Sequence, residues 1–178
     1  MKKKIATIWL AGCSGCHMSL LDIDERILDV LKAADIVKSP IVDGKNLPEV
    51  DVSIVEGAVG SDEHIREIRH IRAQSKILIS LGDCAVNGNI PAMRNFFTVN
   101  DALARSYAGK DTSDQPCIPG DEEILTLEDK VVPLHEIVKV DYYIPGCPPS
   151  ADAIFYVLNE LLNGRVPDLS KEGMVRNG

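Results

Sequence analysis

The chain has 178 residues and a formal net charge of −8, with 45% hydrophobic and 26% charged residues and a pI of about 5.0. This composition is typical of a globular domain, and the acidic balance disfavours nucleic acid or an anionic membrane as the main partner. No apolar stretch approaches the roughly 20 residues of a membrane-spanning helix, so we predict a single domain over residues 1–178 without a membrane span.

Short apolar runs alternate with segments of helical periodicity, which is the pattern of an α/β protein. We predict strands over residues 5–10, 51–59, 76–81 and 138–144. The segment 36–42 is predicted as a short edge segment because Pro40 interrupts it. The strand that starts at residue 5 is nearly continuous in apolar residues, as expected of a strand buried on both faces.

Helices are predicted where apolar residues recur three and four positions apart: residues 20–31, 62–71, 101–108 and 151–162. Ser61 is the expected N-cap of the second helix, whose first turn carries Asp62 and Glu63. Residues 109–120 are polar and contain glycine and proline, so we predict a surface loop there. The order of elements predicts a flavodoxin-like, doubly wound, mainly parallel sheet with helices on both faces.

Three of the predicted strands end in glycine and are followed by cysteine. Cys13 and Cys16 follow the first strand, Cys84 follows the third and Cys147 follows the fourth. Because ligands collect beyond the carboxyl ends of parallel strands, we expect these four thiols to meet at one edge of the sheet. Four convergent thiolates are what an iron–sulfur cluster requires. Cys117 lies in the predicted loop and is expected to take no part.

The start of the chain is basic, but the apolar segment after it is short and lacks a small-residue cleavage site. Its removal would delete the first predicted strand, so we expect a cytoplasmic protein. In that reducing compartment the five cysteines are expected to serve metal binding or redox chemistry instead of disulfide formation.

Two other residues belong to the same layer of loops. Glu56 ends the second predicted strand, and we interpret it as a functional carboxylate in preference to a solvated loop acid. His17 directly follows Cys16, where it either hydrogen-bonds sulfur or carries protons, or simply belongs to the start of a helix. The remaining histidines are expected to lie apart from the site: His64, His70 and His135.

Two other classes of site were weighed against the cluster. A Cys-x-x-Cys pair between a strand and a helix is also the pattern of a thioredoxin-like thiol oxidoreductase using Cys13 and Cys16. That interpretation leaves the placement of Cys84 and Cys147 unexplained. A structural zinc site usually combines two closely spaced pairs, and the chain has one.

The stretch from Trp9 to Asp22, with its central Cys-Ser-Gly-Cys-His, resembles the amino-terminal cluster motif of nickel–iron hydrogenase small subunits. Residues 55–57, 82–85 and 145–149 resemble the later motifs of that family, in the same order. The resemblance covers residues 5–163. It implies that one proximal 4Fe–4S cluster is bound by four ligands: Cys13, Cys16, Cys84 and Cys147. It also implies that the chain relays electrons and is not catalytic alone.

Within that family the chain looks like the small subunit of the bidirectional, NAD-reducing type. It has no twin-arginine signal and no cysteine after Cys147, as expected of a cytoplasmic subunit with one cluster. The related small subunit of respiratory complex I typically has adjacent cysteines at the first site, whereas Cys13 and Cys16 are separated. Coenzyme-F420-type and ferredoxin-linked hydrogenases remain as alternatives.

The resemblance also implies the partners of the chain. A large subunit would carry the nickel–iron centre, and diaphorase subunits would carry FMN, further iron–sulfur clusters and the NAD site. We expect the large subunit to cover the loops that bear the cysteines. Glu56 would then lie in or beside that interface as a candidate proton relay.

Overall fold

The computed structural model of the protein describes residues 2–44, 46–109 and 116–170. Within these ranges a five-stranded sheet has the order β2-β1-β3-β5-β7, and a small second sheet pairs β4 with β6. The strands are β1 Lys3–Trp9, β2 Ala34–Lys38, β3 Val50–Glu56, β4 Val59–Ser61, β5 Ser75–Leu81, β6 Leu127–Val132 and β7 Tyr142–Ile144.

Helices occupy both faces of the large sheet. The α-helices are α1 Gly15–Leu21, α2 Ile27–Ala33, α3 Asp62–Gln74, α4 Gly82–Asn87, α5 Asn89–Ala92, α6 Val99–Leu103 and α7 Ala151–Leu162. Shorter helical turns are the 3₁₀ segments Asp24–Arg26, Met93–Phe96 and Leu134–Glu136 and the π-helical segment Ala104–Ala108. No helix in the described part of the chain combines the length and apolar character needed to cross a membrane.

The large sheet is parallel throughout, with β1 paired to β2 and β3, β3 to β5, and β5 to β7. Successive side chains of a strand point to opposite faces of the sheet. Ile54 packs in the cluster that includes Leu158 of α7, and Val55 packs in the cluster that includes Ile68 of α3. The central strands are therefore apolar at nearly every position, and the predicted α/β, mainly parallel sheet with helices on both faces is confirmed.

Several element boundaries differ from the prediction. The strand predicted over 51–59 ends at Glu56, because Gly57 adopts a φ of +84° and turns the chain into β4. The helix predicted over 20–31 begins at Gly15 and is broken, with Asp24 at a φ of +55° between α1 and α2. The strand predicted over 138–144 covers Tyr142–Ile144 alone, and β6 was not predicted.

Other predicted elements match the structure closely. Ser61 is the N-cap of α3, with its side chain accepting a hydrogen bond from the backbone N–H of His64. The edge strand β2 ends at Lys38, two residues before Pro40. The helical segment predicted over 101–108 is divided between α6 and the π-helical segment. Of the loop predicted over 109–120, residues 110–115 lie outside the described residues, and 116–120 are exposed without regular structure.

Candidate metal centre at the strand ends

The register of the sheet aligns the carboxyl ends of four strands. Trp9 pairs with Glu56, Glu56 with Leu81, and Leu81 with Ile144, so these residues form one row across β1, β3, β5 and β7. Each strand then enters a loop or helix on the same side of the row. Residues that follow the strands in sequence are brought together there, although more than 130 positions separate the first from the last.

Four of the five cysteines line one cleft beyond this row. The cleft has an empty volume of about 460 Å³. Its lining residues are Gly12, Cys13, Gly15, Cys16, Glu56, Gly57, Asp83, Cys84, Gly146, Cys147 and Pro148. Cys117 is exposed and is not part of it. The cleft therefore gathers the four cysteines that the sequence analysis selected and excludes the fifth.

The loop with Cys13 is shaped by its own backbone and by its neighbour. Ser14 adopts a left-handed φ of +64°, and the N–H of Gly15 donates to the Sγ atom of Cys13 at 3.4 Å. Ala11 and Ala58 exchange two backbone hydrogen bonds, of 3.0 and 2.7 Å, which join this loop to the one after β3. The sulfur of Cys13 thus accepts one amide hydrogen bond in a loop that is joined to its neighbour.

The loops with Cys84 and Cys147 are tied directly to each other. The N–H of Asp83 donates to the carbonyl of Gly146 at 2.9 Å, and the N–H of Gly146 donates to Oδ1 of Asp83 at 2.7 Å. Asp83 was not singled out as a functional residue in the sequence, although it lies within the Gly-Asp-Cys motif. Its reciprocal pair of hydrogen bonds joins two of the three segments that carry the cysteines of the cleft.

Small residues keep the cleft open. Gly82 has a φ of +80°, and a Cβ atom there would collide with the Sγ atom of Cys16. A Cβ atom on Gly146 would lie 2.7 Å from the Cα of Pro149, and one on Gly57 would lie 2.8 Å from the carbonyl carbon of Leu10. A side chain at Gly82 would displace a sulfur of the site, and side chains at Gly146 and Gly57 would push neighbouring backbone segments apart. The glycines thus provide the room and the backbone approach that an iron–sulfur cluster needs.

The four cysteines of the cleft can be compared with the requirements of a single metal ion and of a cluster. In the described part of the chain, no three His, Cys, Asp or Glu side chains come close enough together to hold one metal ion. A structural zinc ion draws all four sulfurs to about 2.3 Å from one centre. In a 4Fe–4S cluster the four cysteines are shared among the irons, which keeps their sulfurs farther apart. A cleft lined by four cysteines is compatible with the shared ligation of such a cluster.

Burial raises the pKa of two of these thiols. The pKa of Cys16 is raised mainly by burial, with the Glu56 carboxylate adding to the effect by its charge and a hydrogen bond. The pKa of Cys84 is raised by burial and by the neighbouring Cys147 and Cys13. Reactive redox cysteines have lowered pKa values, so the raised pKa of Cys16 makes this thiol a poor attacking nucleophile. A bound metal would replace the protons of these thiols, and its positive charge would stabilise the thiolates.

Glu56 and His17 form a buried pair beside Cys16. Glu56 is 2% exposed and His17 is 5% exposed. The backbone N–H of His17 donates to Oε2 of Glu56 at 3.2 Å. Nδ1 of His17 lies 2.8 Å from Oε1 of Glu56, which is an ion-pair distance. Within the described residues, neither of these two atoms makes a hydrogen bond of suitable geometry. The prediction that Glu56 belongs to the layer of the cysteines agrees with this position.

The ring of His17 also reaches Thr7, which the sequence analysis did not select. Nε2 of His17 lies 3.0 Å from Oγ1 of Thr7, which donates to Oγ of Ser39 at 2.7 Å. A signal was present, because Thr7 is a polar residue in the middle of an apolar strand. The other histidines lie elsewhere: His64 accepts from the N–H of Gly60, His70 is exposed, and His135 contacts the ring of Tyr143.

The chain is similar in sequence to a known protein family and to individual known proteins. Residues 13–161 match the family described as NADH ubiquinone oxidoreductase, 20 Kd subunit. The chain is 47% identical over 172 residues to the NAD-reducing hydrogenase HoxS subunit delta of Cupriavidus necator, covering 94% of this chain and 82% of that one. It is 40% identical over 173 residues to a subunit of the F420-non-reducing hydrogenase of Methanothermobacter marburgensis, covering 94% of this chain and 56% of that one.

Solved structures show the same fold. A chain of an NAD⁺-reducing [NiFe]-hydrogenase in the H2-reduced state superposes with a TM-score of 0.97 at 40% identity, with full coverage of both chains. A chain of the [NiFeSe] hydrogenase from Desulfovibrio vulgaris Hildenborough gives a TM-score of 0.60 at 18% identity, covering 98% of this chain and 62% of that one. The second similarity concerns the fold alone.

Proposed function

Because the chain belongs to the NADH ubiquinone oxidoreductase 20 Kd subunit family, as a hydrogenase small subunit, we propose that it is the electron-relay subunit of a nickel–iron hydrogenase. In this proposal residues 1–178 form one iron–sulfur-binding domain. Electrons pass between a nickel–iron centre in a large subunit and a diaphorase module with FMN and NAD. The chain has no hydrogen-splitting or NAD-reducing activity by itself.

One observation carries the proposal. The aligned strand ends bring four cysteines from three distant segments into a single cleft. The proposed ligands of one 4Fe–4S cluster are Cys13, Cys16, Cys84 and Cys147. A cluster bound there supplies a one-electron step at a low potential.

The backbone around the sulfurs supports this assignment. The N–H of Gly15 donates to the sulfur of Cys13, and the N–H of Ile90 donates to that of Cys84. Hydrogen bonds to sulfur and exclusion of solvent are two of the factors that set the potential of a cluster. The residues of the chain thus hold the sulfurs and tune the electron acceptor, while bond cleavage in hydrogen takes place in the partner.

The partners are proposed from the relatives and from the surface beside the cleft. Large apolar side chains near the cysteine-bearing segments are exposed: Trp9, Met18, Ile90, Met93, Phe96 and Phe97. We assign the cleft edge and these side chains to the interface with the large subunit, because an electron acceptor must lie close to its donor. We also propose diaphorase subunits and a cytoplasmic location, and the similarity to a subunit of an NAD-reducing hydrogenase supports both.

Glu56 has a proposed role at this interface. Its carboxylate is buried and borders the cysteine cleft. In an assembled complex it would lie where protons released by hydrogen cleavage leave the large subunit. We propose it as a proton-relay residue, one able to accept and return a proton without leaving its place.

The proposal is tested by purifying the chain anaerobically together with its large subunit. We expect about four iron atoms per small subunit in addition to the iron of the large subunit. We also expect an electron paramagnetic resonance signal of a reduced 4Fe–4S cluster when hydrogen is supplied. A complex that splits hydrogen while its small subunit contains no iron would disprove the proposal.

The electron acceptor is tested separately, because the relative from an F420-non-reducing hydrogenase also aligns with 94% of the chain. Hydrogen-dependent reduction of NAD⁺, coenzyme F420 and ferredoxin is measured with the complete complex. We expect reduction of NAD⁺. Reduction of ferredoxin or F420 alone would indicate one of the alternative hydrogenase types. A chain that still catalyses thiol–disulfide exchange after its iron has been lost would instead indicate a thiol oxidoreductase.

A further inference from the structure

The helix that carries Cys16 is short and receives no side-chain cap from its N-cap residue. Helix α1 has seven residues, and its N-cap residue Ser14 has a left-handed backbone and makes no side-chain capping bond. Its first turn contains no acidic residue. The first N–H groups of a helix have no partner within the helix and need one from elsewhere. Within its own segment the N–H of Gly15 donates to Sγ of Cys13, whereas the N–H of His17 finds its partner on another element.

The missing cap is supplied by Glu56 at the end of β3. Its Oε2 atom accepts the backbone N–H of His17 at 3.2 Å, across 39 positions of sequence. Its other oxygen lies 2.8 Å from Nδ1 of the same residue. One buried carboxylate thus contacts both the backbone and the ring of the residue that follows Cys16.

The opposite side of the imidazole is held by β1. Nε2 of His17 lies 3.0 Å from Oγ1 of Thr7, and Thr7 donates to Oγ of Ser39 at 2.7 Å. Ser39 in turn accepts the backbone N–H of Ile41 at 3.3 Å. Both ring nitrogens therefore have a polar neighbour, on two different strands, and all the side chains in this path are buried.

A second contact connects α1 to the segment of Cys147. The hydroxyl of Ser19 donates to the carbonyl of Pro149, two residues after that cysteine. Helix α1 is thus attached at His17 to β1 and β3, and at Ser19 to the loop after β7. These attachments leave little freedom for the turn between Cys13 and Cys16.

We propose that Thr7, His17 and Glu56 are positioning residues that fix the first turn of α1 and, through it, the placement of Cys16 relative to Cys13. The inference rests on the proposed function, in which these two cysteines bind the cluster. Burying an imidazole and a carboxylate is costly unless their polar atoms have partners. In the path from Glu56 to Ser39, hydrogen bonds engage Oε2 of Glu56 and Nε2 of His17, and the ion-pair contact brings Oε1 of Glu56 to Nδ1 of His17. These contacts are what restrains the first turn of α1 in this proposal.

The test compares three variants in the assembled hydrogenase complex. Thr7→Val keeps the shape and branching of the side chain and removes the hydroxyl, whereas Thr7→Ser keeps the hydroxyl. Thr126→Val is the matched control, because Thr126 is exposed and lies away from the cleft. Changes to groups that orient metal ligands cost about 10- to 100-fold in metal affinity. We therefore expect Thr7→Val to lose iron to a chelator about tenfold faster or more.

Two spectroscopic readouts accompany the chelation rate. In Thr7→Val we expect altered g-values of the reduced cluster and a shifted midpoint potential, with wild-type behaviour in Thr7→Ser and Thr126→Val. A Thr7→Val complex that melts earlier but keeps the wild-type g-values, potential and rate of iron loss would overturn the positioning role. Absence of a cluster from the wild-type complex would instead refute the proposed function, so the two failures are distinguishable.

Hydrogen–deuterium exchange keeps the inference testable if Thr7→Val does not assemble. His17→Ala removes the ring but keeps the backbone N–H, which donates to Glu56. We expect faster exchange in the peptide covering residues 14–18, and unchanged exchange in α3, to which the described hydrogen bonds of this path do not extend. Wild-type exchange at residues 14–18 in an assembled His17→Ala complex would overturn the proposal.

Discussion

The backbone of Gly82 lies directly against the Sγ atom of Cys16, with no room for a side chain between them. Gly82 begins α4 with a φ of +80°, and Cys84 follows two residues later in the same helix. The contact brings the segment after β5 against the segment after β1. It explains why a glycine stands at the end of β5: the fold requires both a left-handed backbone and an absent Cβ atom at one position.

Gly82→Ala is expected to disrupt the cysteine cleft. The left-handed backbone alone costs about 1–2 kcal/mol for a residue with a Cβ atom, and the new methyl group would displace the sulfur of Cys16. We predict that iron content falls by more than half in the purified complex. Gly120→Ala is the control, because nothing lies within 4 Å of a Cβ atom at that position. Equal iron contents in the two variants would contradict the prediction.

Cys117 is predicted to have no role in metal binding. Its side chain is exposed and lies outside the cleft, whereas Cys84 is half-buried within it. Cys117→Ser should leave iron and acid-labile sulfide unchanged, and Cys84→Ser should reduce both substantially. The proposed ligand set is wrong if Cys117→Ser loses the cluster while Cys84→Ser retains it.

Glu56→Gln separates the two proposed roles of this residue. The amide oxygen of glutamine can still accept the N–H of His17, so the cluster and the assembled complex should persist. The amide cannot take up a proton, and we predict that hydrogen turnover slows by about tenfold or more. Turnover and iron content are measured on the same preparation, with the exposed Glu63→Gln as control. Unchanged turnover in a fully loaded Glu56→Gln complex would remove the relay role.

Asp141 is predicted to make the stability of the fold depend on pH. Burial acts to raise its pKa, but hydrogen bonds from the N–H of Leu78 and from Arg72 outweigh burial and lower the pKa below its ordinary value. A carboxyl group whose pKa is lowered by folding stabilises the fold at pH values above its pKa in the unfolded chain, which is about 3.9 for aspartate. That contribution is lost as the pH falls through the lower pKa of the folded state.

Asp141→Asn should therefore lower the free energy of unfolding at neutral pH by about 1–2 kcal/mol. The difference from wild type should shrink as the pH falls below about 4. Urea unfolding at several pH values measures it, and the exposed Asp129→Asn serves as the control. A difference that stays constant down to the lowest pH at which the chain folds would show that the carboxylate of Asp141 is not the source of the effect.

The sequence alone was sufficient to predict the central sheet and the cysteines of the site. Strands buried on both faces must be apolar at nearly every position, so β1, β3 and β5 are visible as apolar runs whatever surrounds them. Parallel strands share one carboxyl edge, and for this reason the cysteines after Gly12, Gly82 and Gly146 were expected to meet. These inferences depend on local composition and on chain direction.

The tertiary structure alone decided how the site is held together. The helix predicted over 20–31 is broken at Asp24, because a residue with a φ of +55° cannot continue a right-handed helix. The partners of His17 are Thr7 and Glu56, ten and 39 positions away. No local pattern relates these residues, since their contact depends on which strands are neighbours and on the register of β1 against β3. Composition determines which segments are buried, whereas register determines which buried polar groups meet.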